Sequence, residues 1–251
     1  MIAALPMYVQ PENRAAHDRF WALIRDGLRG QGIAAPEALD WRIGHMESWA
    51  HPDLVLGQIC NLPLRARFAG HVTLIGAPDL ALPGCAAGEY YSVFVLRADD
   101  PAKTAQDCAR AGYRLAYSEG LSQSGWGAAH DWAQAQGLTL CPQQATGSHA
   151  GSLRAVAEGA ADWAAVDAQT WRMLTRWRGA GTGLRVVGRT HASPGLSYVT
   201  RAGQDPAPYR RALVAAIAAL EEADRAALDL HGLAVLPEAA YALPLPPLPQ
   251  G

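Results

Sequence analysis

Eight short apolar runs punctuate the chain, at residues 2–7, 53–58, 72–77, 91–96, 113–117, 163–166, 184–187 and 196–199. Several are four to six hydrophobic residues in a row, the pattern of strands buried on both faces. Helical spacing fills the stretches between them. Ala16, Phe20, Leu23, Ile24 and Leu28 mark one helix face that Gly30 and Gly32 bring to an end. Leu213, Ile217 and Leu220 mark another, in a helix expected from Pro208 to Asp224. The alternation predicts an α/β class with mixed, mostly parallel sheets flanked by helices. The tail from Leu243 to Pro249 carries Pro244, Pro246, Pro247 and Pro249, so it is expected to run extended over the surface.

With 251 residues the chain has room for one to two domains. No repeat of 20 to 50 residues and no Gly/Ser linker separates two beads, so a second lobe has to be inserted into the first. Extended stretches at 83–91 and 188–195 are the expected crossings, which gives a discontinuous lobe of residues 1–86 plus 193–251 and an inserted lobe of residues 87–192.

Charge narrows the chemistry. The net charge is −2, which gives no footprint for nucleic acid or anionic lipid, and no apolar segment is long enough to span a membrane. Lys103 is the only lysine, in a turn context, so a phosphate loop ending in Gly-Lys, a Schiff-base lysine and a Ser-x-x-Lys pair are all excluded. The start, Met1 to Tyr8, has no basic region and breaks at Pro6; it reads as a first strand, in a chain that either stays in the cytosol or has lost a leader. The four cysteines have no Cys-x-x-Cys spacing. Cys60 and Cys85 could pair in an oxidising compartment, or could equally be small buried hydrophobes. His45, Glu47 and His51 are close together, but Pro52 and Trp49 mark a loop with no ligand geometry, so neither a metal nor a cofactor is expected.

Two stretches carry candidate chemistry. From Tyr113 to Gly127 an apolar strand enters a hydroxyl-rich turn, Ser118-Glu119-Gly120-Leu121-Ser122-Gln123-Ser124-Gly125, and a helical pattern follows. Unpaired helix-start amides and Ser hydroxyls suit an anion; an ordinary Ser cap is the plainer reading. The second stretch has a Gly147-Ser148-His149 helix start, a Gly159 stop, and an apolar strand that delivers Asp167 at its carboxyl end, where α/β sheets place ligands. His149 as a surface first-turn residue is the alternative.

In order, Glu89-Tyr90-Tyr91-Ser92-Val93-Phe94-Val95, Ser122-Gln123-Ser124-Gly125, Gly147-Ser148-His149 and Asp167 resemble the phosphonate/phosphate-binding branch of the periplasmic solute-binding proteins that serve ABC transporters. Gln58 to Pro63 and Ser193 to Leu196 fall where that family has its first-lobe helix start and its return crossing. The resemblance runs from about Leu5 to Thr200. It implies a type 2 periplasmic-binding fold of two α/β lobes, a small oxyanion ligand held in a cleft between them, a periplasmic location, a possible permease partner and a monomer. By that pattern the Ser122 and Ser124 hydroxyls, with the Gln123 and Gly125 amides, hold ligand oxygens. Tyr90, Ser148 and His149 add hydrogen bonds from the same lobe and Tyr8 from the other. One departure stands out: where aminophosphonate-binding members carry an acid to pair an ammonium, this chain has Gln169, with Asp167 two residues earlier. Trp126 and Trp171 are further candidates for the pocket wall.

The competing class is an enzyme. Ser124, His149 and Asp167 have the residue types of a hydrolase triad, but the Gly-x-Ser-x-Gly elbow is absent. A cytosolic catalyst of the same fold, acting on a small anionic metabolite, is the runner-up to a binding protein.

Overall fold

The computed structural model describes residues 1–250. The chain packs as two compact units, Met1–Glu89 with Pro194–Ala242, and Tyr90–Ser193 with the tail from Leu243 onward. In chain order the first unit begins with β1 (Ile2–Ala4), α1 (Arg14–Arg29), α2 (His45–Ala50), β2 (Leu54–Ile59), α3 (Asn61–Pro63), a π-helical turn (Leu64–Phe68) and β3 (Val72–Asp79). β4 (Glu89–Tyr90) leads into the second unit, which holds β5 (Ser92–Arg97), α4 (Ala105–Arg110), β6 (Arg114–Tyr117), a second π-helical turn (Gln123–Gly127), α5 (Ala128–Ala135), β7 (Cys141–Ala145), α6 (His149–Ala157), β8 (Trp163–Asp167), α7 (Ala168–Arg178) and β9 (Leu184–Arg189). β10 (Ser193–Pro194) leads back to β11 (Ser197–Arg201), α8 (Pro206–Ala219), α9 (Glu222–Leu228), β12 (Gly232–Ala234) and α10 (Glu238–Tyr241).

The first unit's sheet has the order β1-β2-β11-β3-β12. β1 runs parallel to β2, whereas β11 runs antiparallel to both β2 and β3, and β12 antiparallel to β3. Helices α1 and α8 cover one face: Phe20, Trp21, Ile24 and Leu28 meet Leu213, Ile217 and the sheet residues Val55, Leu56 and Ile75. Gly27 lets the two helices approach closely there, since a Cβ would sit 3.3 Å from that of Ala212. Trp49, Phe68, Leu64 and Tyr241 fill the other face. Each such burial contributes about 1.5–3 kcal/mol, so both faces, not helix propensity, hold the layers together.

The second sheet has the order β7-β6-β8-β5-β9. β6 is parallel to β7 and to β8, and β5 is antiparallel to β8 and β9. Phe94 stacks on Trp163 at 5.0 Å and meets Trp132 at 4.6 Å, an aromatic centre for the unit.

Three expectations need correction, and one left open is resolved. The sheets are mixed, as expected, but antiparallel pairs outnumber parallel ones, because β5 and β11 are each entered straight from a crossing and run against their neighbours; burial on both faces reports depth, not direction. The helix expected over 208–224 is two, since Leu220 turns extended (ψ 134°) after α8. The tail, placed with residues 193–251 by sequence, packs with the second unit, where the Trp126 indole donates to the Pro247 carbonyl at 2.7 Å. Finally, no disulfide joins Cys60 to Cys85; both are thiols. Cys60 is buried in the turn that ends β2, and Cys85 sits partly exposed in its own turn, closed on the Leu82 carbonyl.

Candidate functional site

Because β6, β7 and β8 are mutually aligned, their carboxyl ends leave the second sheet on one edge. Three turns meet there. The turn after β6 begins the π-helical segment with Ser122 as its cap: Ser122 Oγ accepts the Gly125 amide at 2.9 Å, and its carbonyl accepts Trp126 and Gly127. This arrangement leaves the Ser124 amide among the helix-start donors that the helix itself cannot satisfy. A Cβ on Gly125 would run into Ser118 Oγ and come within 2.9 Å of the Ser118 amide, so only glycine allows this close approach. Gln123 is fully covered, at 1% exposure.

The turn after β7 is tied to the first by backbone. The Thr146 amide donates to the Tyr117 carbonyl and the Gly147 amide to the Ser118 carbonyl, both at 2.9 Å. Ser148 then caps α6 by accepting the Gly151 amide at 3.0 Å. His149, the first helical residue, is thereby aimed at the neighbouring turn, and its Nε2 lies 2.9 Å from Ser124 Oγ. Ser122 Oγ is 3.5 Å from the same hydroxyl. Two helix starts therefore share one hydroxyl-imidazole contact, a neutral and donor-rich surface.

Electrostatics favour the uncharged ring. Burial lowers the His149 pKa from 6.5 to about 4, against smaller raising effects of the Ala165 carbonyl and Glu119. The residue keeps partial exposure while its Nδ1 has lost contact with water, so the ring acts at neutral pH through hydrogen bonds and not as a cation.

Asp167, at the end of β8, is 2% exposed and caps α7 by accepting the Thr170 amide at 2.8 Å. Gln169 is completely buried, and its Oε1 accepts the Arg172 guanidinium. Tyr90 is buried in β4, at 1% exposure. Tyr8 belongs to the first unit, in the loop after β1, where its carbonyl accepts Asn13 Nδ2 at 3.1 Å. Trp126 is an internal residue rather than an open wall, its ring 5.8 Å from Tyr117 and 5.7 Å from His130. Trp171 is half-buried on α7.

Sequence reasoning missed the supports of this edge. The buried Ser92 hydroxyl on β5 donates to the Ser124 carbonyl at 2.8 Å, and the Ser92 amide donates to Thr190 Oγ1 at 3.0 Å. Thr146 Oγ1 contacts Ser152 Oγ at 2.7 Å. Nothing in the local pattern marks Ser92 or Thr190, since their contacts span 32 and 98 residues. Among the described residues no group of three or more His, Cys, Asp or Glu side chains could hold a metal ion, and no helix is long and apolar enough to cross a membrane.

A family model for the periplasmic substrate-binding proteins of phosphonate ABC transporters matches residues 76–241. No curated protein matches the sequence. Among solved structures, PhnD1 of Prochlorococcus marinus, in complex with methylphosphonate, is 15% identical with a TM-score of 0.68 over 96% of this chain and 94% of that one. A binding-protein component of an ABC phosphonate transporter from Pseudomonas aeruginosa is 14% identical, with a TM-score of 0.65 over 93% and 80%. A Xanthomonas citri protein bound to ATP is 15% identical, with a TM-score of 0.65 over 95% and 92%. At such identities the likeness shows the fold, the two-lobed type 2 periplasmic-binding architecture. The family match covers well over half of the chain and names a substrate-binding, transporter-linked role. The chain belongs to the periplasmic substrate-binding protein family of phosphonate ABC transporters.

Proposed function

We propose that this protein is a periplasmic carrier, monomeric and non-catalytic, that binds a small phosphonate, phosphate or phosphate ester for an ABC transporter, with the second unit's strand-end edge as its anion site. The observation that carries this reading is the 2.9 Å contact between Ser124 Oγ and His149 Nε2, which joins two helix starts. An oxyanion is well served by neutral dipoles and hydroxyls at helix N-termini, with no lysine needed. A neutral His149 contributes a hydrogen bond without a competing charge. Gln169, engaged with Arg172, offers no carboxylate to an ammonium group, so we infer a preference for ligands without one.

Isothermal calorimetry against methylphosphonate, inorganic phosphate, sulfate and acetate tests the ligand class. Methylphosphonate or phosphate should bind, and Ser124→Ala and His149→Ala should each weaken binding by about tenfold, the effect of one hydrogen bond left unmade. Silence from every oxyanion, or full affinity in both variants, would overturn the reading. Phosphorus NMR of bound methylphosphonate should show no turnover.

A further inference from the structure

The proline-rich tail touches the proposed anion turn at two places. Trp126 follows Gly125 directly, and its indole N–H donates to the Pro247 carbonyl at 2.7 Å. On the near side of the turn, a Cβ built on Gly120 would lie 3.2 Å from Pro249 Cδ and 3.7 Å from Leu248, so these residues rest against the turn's backbone. Beside the Trp126 contact lies a surface cavity of about 360 Å³, walled by Trp126, His130 and Leu138 on one side and by Pro247 and Leu248 on the other. Proline explains the choice of segment. An extended proline-rich strand has little conformational freedom left to lose and keeps its carbonyls unbonded within itself, so it can present an acceptor to an indole N–H at low entropic cost.

We propose that the tail is a positioning element of the binding site: residues 247–249 brace the Ser118–Gly125 turn from outside and hold its hydroxyls and amides in the geometry an oxyanion needs. Trp126 and Pro247 are then positioning residues that never touch the ligand. The inference rests on the oxyanion reading above. It goes further in assigning affinity to a segment that lies beyond the 76–241 family match. A loop that must order itself on binding loses affinity, and bracing it in advance removes that loss.

The test uses the full chain, a chain ending at Ala242, and Trp126→Phe in the full chain, which keeps a ring and deletes the N–H. Binding of methylphosphonate and of inorganic phosphate is measured by calorimetry at a temperature well below every variant's melting midpoint. The shortened chain should bind about tenfold more weakly, and Trp126→Phe about threefold. Adding a synthetic peptide of residues 243–251 to the shortened chain should restore most of the loss, which a merely stabilising tail would not do in a chain that is already folded. If the full chain binds and both variants match it within twofold, the brace is overturned alone. Should the shortened chain fail to fold, Trp126→Phe decides by the same criterion. A full chain that binds neither probe overturns the oxyanion reading and the brace with it.

Discussion

Two regions of the molecule, the strand-end edge of the second unit and the stretch around Asn61 and His17 in the first, treat buried polarity in opposite ways. In the second unit, hydroxyls and amides at the strand-end edge are joined into a connected set: Ser122 to Gly125, Ser124 to His149, Ser92 to the Ser124 carbonyl, and Thr146 to Ser152. In the first unit, Asn61 is 1% exposed at the end of β2, with neither its Nδ2 nor its Oδ1 hydrogen-bonded to the protein, and both ring nitrogens of His17 lack hydrogen bonds of good geometry. A connected network holds its atoms in place before a ligand arrives, whereas an unpartnered buried amide costs stability. The first unit compensates with bulk, packing Phe20, Trp21, Ile24 and Leu28 of α1 against α8. The contrast teaches that the strand-end edge is held by hydrogen bonds where the start of α3 is not, and substitution can probe it from both sides.

Acid gives the largest expected effect, because each unit buries one histidine whose pKa is lowered from 6.5 to about 4, His17 in the first and His149 in the second. In both, desolvation disfavours the charged ring, so the folded state prefers it neutral. The sign follows: stability is fully present above pH 6.5 and declines as pH falls from there towards 4, by up to about 3 kcal/mol for each ring. Denaturant titrations at pH 7.5 and pH 4.5 should show this loss. His17→Gln should remove the first unit's share and leave the second's. An unchanged pH slope in that variant would mean that His17 is solvated in the folded protein.

Gly125→Ala attacks the connected side. Its Cβ meets Ser118 Oγ and the Ser118 backbone, so the turn has to shift, at a cost of about 2 kcal/mol from overpacking. Oxyanion binding should fall with it. Gly147→Ala is the control in the same region: its φ of +77° costs about 1 kcal/mol, but nothing lies within 4 Å of the added carbon. Equal losses in the two variants would show that backbone strain, not crowding, sets the turn.

How far the sequence revealed these features depends on distance along the chain. All eight apolar runs lie on observed strands, and the glycine stop at Gly30 ends α1 as expected. β7 escaped notice because Cys141–Ala145 is an edge strand, mostly exposed and without an apolar run. Strand direction also escaped, since a run buried on both faces looks the same whichever way it travels. At the candidate site, the caps Ser122 and Ser148 are local and were visible as types in a pattern. The Ser124–His149 contact spans 25 residues and was only a combination suggested by resemblance. Ser92 and Thr190, 98 residues apart, carry no pattern at all. The extended form of the tail could be read from its prolines, but its seat on Trp126 depends on a single carbonyl meeting an indole 121 residues away.

The smallest expected effect comes from the other side of the comparison and runs in the opposite direction. Asn61 is the first residue of α3, inside an apolar neighbourhood that includes Leu62 and Pro63, all buried. Leucine has nearly the same branching and no polar atoms to strand, so Asn61→Leu should stabilise the ligand-free protein by about 1 kcal/mol, since a buried amide without partners gives up more in lost hydration than it gains in packing. For a chain of this length that corresponds to a rise in Tm of about 2–4 °C. The equivalent change on the connected side, Ser124→Leu, should lower Tm, because it strands His149 Nε2. Opposite signs from two polar-to-leucine substitutions, read by differential scanning calorimetry without ligand, would sharpen the distinction between the units. A fall in Tm for Asn61→Leu would mean that the amide has polar partners in solution, and that the start of α3 is as connected as the strand-end edge.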